Sequence, residues 1–200
     1  MGRNSSKVFL NEEIPPYATY PLDTSKLLND AKWPDQIEIN AGKYFVRPRY
    51  EIIKQRKGLT SQRRVAHVNI ERTDLKPDPM ISKISNFMGK GFLLPAPVLP
   101  TDRYNSVILP TPMSTSQNKL PIKLYIYDQA GTEVGSHEFG EIKRSESVFV
   151  DVGPITRDSL KNQAGHMELV YDHKFSTEAV DGWLHALFRY EDKLTGHIAE

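Results

Sequence analysis

Lys43, Arg47, Arg49, Lys54, Arg56, Lys57, Arg63 and Arg64 stand in one window against a single acid, Glu51. Guanidinium forks and ammonium groups at that density match the geometry of phosphate, sulfate or carboxylate, which makes the window a candidate anion site. Arg47 and Arg49 are expected on one strand face and Lys54 to Arg64 in a glycine-containing hairpin loop, so that Arg47, Arg49, Arg56, Arg63 and Arg64 converge. Tyr44, Phe45 and Tyr50 interleave with these cations, as stacking on the bases of a single nucleic-acid strand would require. The segment from Gly165 to Glu200 has the opposite balance, with Glu168, Asp172, Glu178, Asp181, Glu191, Asp192 and Glu200. A basic loop offset by an acidic region of the same fold explains that pattern equally well without a ligand.

A second candidate is aromatic. Lys123, Tyr125 and Tyr127 alternate with Leu120, Ile122, Leu124 and Ile126, so an extended strand sends the two sets to opposite sides. Phe149 is expected to join the tyrosines from a neighbouring strand, giving a ring-bearing face suited to sugars or to another protein. The competing expectation is a second core layer, in which the same rings are covered.

Metal chemistry is a third possibility. His67 and Glu71 share a strand face, His166 and Glu168 do likewise, and a jelly roll could bring the four together in the manner of a cupin. The cupin pattern of a His-x-His pair and a later glycine-flanked Glu is missing, and six scattered histidines do not by themselves converge. Glu138, Glu141, Asp151, Glu168 and Asp172 offer carboxylate pairs for glycoside chemistry, but so does almost any chain with 25 acids. Gly89-Lys90-Gly91 lacks the third glycine of a dinucleotide loop, and Gly135-Ser136 lacks the flanks of a nucleophile elbow.

These residues need strands to hold them. Asp128 to Gly131 reads as a hairpin turn, Val134 to Phe139 as its return strand, and Val148, Val150 and Val152 as a third strand. Further strands are expected at Ile37 to Ile39, Tyr44 to Val46, Tyr50 to Ile53, Val65 to Arg72, Met167 to Asp172 and Trp183 to Tyr190. Asp78 as cap, Pro79, then Ile81, Ile84 and Met88 on one face mark a helix of about three turns. Shorter helical turns are expected near Ser25 to Ala31 and after Thr156, which would cap the second. Pro95, Pro97, Pro100, Pro110 and Pro112 punctuate two apolar runs and read as a segment crossing between strand groups. The fold class is therefore all-β with minor α, an antiparallel β-sandwich or jelly roll with one short helix.

Residues 1–34 read as an N-terminal arm and 35–200 as the sandwich domain, with a candidate subdivision near 92–118. The abrupt finish at Gly196 to Glu200 suggests the front part of a longer protein. Cysteine is absent, which removes disulfides, thiol nucleophiles and thiolate zinc sites. No window approaches the ~18 apolar residues of a membrane helix, and Asn11 to Pro16 interrupts any secretory core, so a soluble cytoplasmic chain without membrane contact is expected. Asn4-Ser5-Ser6 matches a glycosylation triplet that such a chain would not use. A net charge of +1 advertises no field for nucleic acid.

The resulting expectation is a non-enzymatic binding or assembly module. It would recognise an anionic ligand, a carbohydrate or a protein partner, self-association included, without a cofactor. The rivals are a metal-dependent cupin-like enzyme using His67, Glu71, His166 and Glu168, and a single-stranded nucleic-acid binder using residues 43–64.

Overall fold

The computed structural model describes residues 7–10, 12–40, 49–54, 62–67, 80, 83–84, 90–112, 119–143, 146–156, 158–172 and 184–200. Its contacts divide the chain into Met1–Ile37 and Glu38–Glu200. In the first unit one helical turn, Thr24–Leu27, is capped by Asp23, whose Oδ1 accepts from the Ser25 backbone N–H at 3.2 Å. The turn is shorter than the expected Ser25 to Ala31, because Leu28 leaves helical geometry at φ −127°.

The second unit is all-β. Its strands are β1 (Arg49–Lys54), β2 (Gln62–His67), β3 (Lys90–Val98), β4 (Tyr104–Pro112), β5 (Lys119–Tyr127), β6 (Glu133–Lys143), β7 (Val150–Asp151), β8 (Gly165–Asp172), β9 (Leu184–Asp192) and β10 (Ile198–Ala199). β1 and β2 form a separate hairpin, and two antiparallel four-stranded sheets run in the orders β3-β8-β5-β6 and β10-β9-β4-β7. Leu120, Ile122, Leu124 and Ile126 from β5 pack with Met167, Leu169 and Tyr171 from β8, Ala96 and Val98 from β3, and Ile108 and Leu184 of the other sheet. The period-two row is thus the floor of a sandwich core.

Two connections differ from the expected meander. β7 does not lie beside β6 but pairs with β4 in the opposite sheet, and β8 inserts between β3 and β5. Both apolar runs of the proline-rich segment are strands rather than a crossing. In β3 the prolines sit on a sheet edge, where a missing N–H costs no ladder bond, and the Pro97 carbonyl accepts from the Tyr190 hydroxyl at 2.8 Å. In β4 the Ser106 carbonyl, accepting from the Val152 N–H, shows that even-numbered positions turn their backbone groups toward β7. β7 reaches only Val107 and Ile108, so among the described residues Pro110 and Pro112 meet no partner strand on that side.

Smaller expectations also shift. Ile37 and Ile39 lie outside any strand and are exposed. Thr156 ends the turn Gly153–Thr156 instead of capping it, with its hydroxyl donating to the Val152 and Gly153 carbonyls, both at 3.3 Å. Of the expected helix after Asp78, Met80, Lys83 and Ile84 are helical, while Asp78, Pro79, Ile81 and Met88 lie outside the described residues, as do Tyr44 to Val46 and Trp183.

Arg103 fastens the β9–β10 turn. Its Nη2 and Nε donate to Asp192 Oδ2 at 3.0 and 3.3 Å, while Asp192 Oδ1 accepts from the backbone N–H groups of Leu194 and Thr195. The bonded guanidinium, helped by those N–H groups, lowers the Asp192 carboxyl to about 2. Because that lies below the ordinary value of 3.8, the stabilisation is present above about pH 4 and is lost as pH falls toward 2. Acid denaturation followed by circular dichroism is expected to show Asp192→Asn less stable than wild type at pH 7, with the difference shrinking between pH 4 and pH 2. An unchanged difference across that window would contradict it.

Candidate functional site

The site is built on the outer side of the β3-β8-β5-β6 sheet, opposite the core. β5 sends Lys119, Pro121, Lys123, Tyr125 and Tyr127 to that side. Its register sets Lys123 beside Val170, Tyr125 beside Glu168 and Tyr127 beside His166 on β8. On the other flank the same three stand opposite Glu138, Ser136 and Glu133 of β6. Pro121 and Val170 are buried despite facing outward, so the face is covered at that end. Lys123, Tyr125, Tyr127, His166 and Glu168 are half-buried, and Glu133, Ser136 and Glu138 are exposed.

Two bulges create this composition. The β5–β6 register shifts between Ile122 and Lys123 and again between Ile126 and Tyr127. An unbroken ladder from Ile122 and Gly140 would set Phe139 against Lys123, and one from Ile126 and Gly135 would set Val134 against Tyr127. Each extra residue moves an apolar side chain of β6 toward the core, where Phe139 and Val134 pack. Each also puts an acid, Glu138 or Glu133, into the outer row. Gly140, at φ +70°, supplies the left-handed backbone beside the first bulge.

Side chains on the face are coupled across strands. Tyr127 and His166 stack with ring centroids 4.9 Å apart and planes 19° apart. Lys123 Nζ donates to Glu138 Oε1 at 3.2 Å and lies 5.0 Å from the centre of the Tyr125 ring. The Glu138 carboxylate, by accepting that bond, raises the Lys123 ammonium above its ordinary pKa. At the end of the row an open depression of about 450 Å³ is lined by Asp128, Gln129, Ala130, Gly131, Ala164, Gly165 and His166. Its turn follows the expected Asp128 to Gly131: Asp128 Oδ1 accepts from the N–H groups of Ala130 and Thr132, each at 2.9 Å, and Gly131 has φ +81°.

The structure sorts the candidate residues unevenly. Lys123, Tyr125 and Tyr127 share one face, and His166 and Glu168, first considered as metal ligands, join them there. Phe149 does not: it precedes β7, in the opposite sheet. Arg49 opens β1 opposite His67 and is exposed, while Arg63 and Arg64 pair with Ile53 and Ile52 inside β2 rather than lying in a loop. Arg47, Arg56 and Glu71 are outside the described residues. Among the described residues no three His, Asp or Glu side chains are grouped to hold a metal ion. No described helix is long and apolar enough to cross a membrane. Sequence spacing offers Glu138 only as one of many carboxylates and Ser136 only as a failed nucleophile elbow; the strand register is what brings both beside Lys123 and Tyr125. Compared with protein-family models, with curated proteins and with solved structures, the chain matches none.

Proposed function

We propose that this chain is a non-enzymatic binding module whose recognition face is the outer row of Lys123, Tyr125 and Tyr127 together with His166 and Glu168. The observation that carries the reading is the register of β5 between β6 and β8, which sets rings, an ammonium and carboxylates side by side on one rigid sheet. Half-buried tyrosines with nearby donors and acceptors offer large contact area at low entropic cost. Lys123 already meets the charge of Glu138, which favours an uncharged or mixed ligand over an anion. The cysteine-free sequence suits a reducing compartment, and we assign the protein to the cytoplasm.

The test is a parallel screen of immobilised oligosaccharides and displayed peptides with wild type and with Tyr125→Ala/Tyr127→Ala, fold being checked by circular dichroism. Ligands retained by wild type are expected to bind the double variant at least about tenfold more weakly, the loss of one to two buried ring contacts. Equal retention by both proteins, or none by wild type, would overturn the reading.

A further inference from the structure

We infer that the ligand of this face is a carbohydrate, with one sugar unit seated in the depression beside His166 and the next lying along Tyr127 and Tyr125; the inference rests on the reading above. The depression, about 450 Å³, is open to solvent, so a unit seated in it keeps one side hydrated. Much of its wall is backbone, since Gly131 and Gly165 contribute no side chain and Ala130 and Ala164 only a methyl. Asp128 lends Oδ1 to the turn, and its Oδ2 has no hydrogen-bond partner among the described residues, which leaves an acceptor for a sugar hydroxyl.

Beyond His166 the row repeats along β5 at every second residue, a step of roughly 6.6 Å at strand rise. Each step pairs a ring with a hydrogen-bonding group on a neighbouring strand: Tyr127 with His166 and Glu133, Tyr125 with Glu168 and Ser136. A sugar has that same duality, an apolar C–H side for a ring and hydroxyls that both donate and accept. Carboxylate, hydroxyl and imidazole groups can satisfy those hydroxyls. A peptide recognised by strand addition would need an open strand edge, and the row lies on a sheet face.

The experiment titrates full-length protein with neutral oligosaccharides of glucose, N-acetylglucosamine, xylose and mannose, four to six units long, by calorimetry and by nitrogen-15 NMR. Two variants accompany it. Tyr127→Ala removes a ring from the row, and Ala130→Trp fills the depression from an exposed position in the turn between β5 and β6. At least one oligosaccharide is expected to bind wild type, with each variant weakening it about tenfold or more. If none binds at 10 mM while displayed peptides are retained by wild type and lost by Tyr125→Ala/Tyr127→Ala, the carbohydrate inference falls and the recognition face stands. If an oligosaccharide binds all proteins equally, both fall. Binding that survives Ala130→Trp but not Tyr127→Ala overturns the seating in the depression.

Discussion

Leu124→Ala is expected to destabilise the protein by about 3 kcal/mol, whereas Lys123→Ala, one residue away on the same strand, should cost less than ~1 kcal/mol. The two stand on opposite sides of β5. Leu124 is fully buried against the row of β8, so truncation removes its transfer free energy and leaves a cavity that close-packed neighbours refill incompletely. Lys123, whose side chain is 18% exposed, makes a cross-strand ion pair with Glu138, whose side chain is 65% exposed, and a pair with one partner in solvent is screened and weak. Urea denaturation gives both values. Against a total of about 5–15 kcal/mol for a domain, the first is a large fraction and the second a small one. Similar costs at the two positions would mean that both sides of β5 are equally buried and that no recognition face exists there.

The second large effect is at Gly165, where β8 begins beneath the end of β5. A Cβ built there would overlap the Tyr127 carbonyl oxygen and lie 3.0 and 3.1 Å from the two methyls of Leu160. The obstacle is backbone, which cannot rotate away, so Gly165→Val must push β5 and β8 apart at the point where Tyr127 and His166 stack. About 3 kcal/mol of destabilisation is expected, toward the upper end for overpacking. Gly131→Ala makes the contrast. Its Cβ would meet nothing within 4 Å, and only the strain of φ +81° remains, about 1 kcal/mol. Chemical denaturation of both variants checks the order; a Gly165→Val protein as stable as wild type would show that the two strands are not in contact there.

Much of this architecture was written in side-chain rhythm. The alternation of Leu120, Ile122, Leu124 and Ile126 with Lys123, Tyr125 and Tyr127 defined a strand and its two sides, and Asp128 and Gly131 defined the turn that follows. The bulges of β6 also left a trace: Val134, Phe139 and Ile142 are spaced by five and then three, odd intervals that cannot share one side of a regular strand. Pro95 with Pro97 and Pro110 with Pro112 obeyed period two as well, which marks edge positions more than breaks. Partner choice was not legible. Whether β7 follows β6 or crosses to β4, and whether β8 enters between β3 and β5, depends on long-range pairing that local spacing does not encode. For that reason local spacing places Phe149 with the tyrosines, whereas the fold sets His166 against Tyr127 and Phe149 before β7 in the other sheet. The outward side of Tyr125 and Tyr127 follows from alternation within their own strand, whereas the place of Glu138 and Ser136 in the row is set by a register shift.

The most direct measurement is chemical-shift mapping on nitrogen-15-labelled protein with the tightest ligand from the screen. Perturbed amides are expected to centre on Lys123 to Gly131 and Ala164 to Glu168, with β4 and β9 unchanged. Perturbations centred on the β1–β2 hairpin or on the β10-β9-β4-β7 sheet would contradict it.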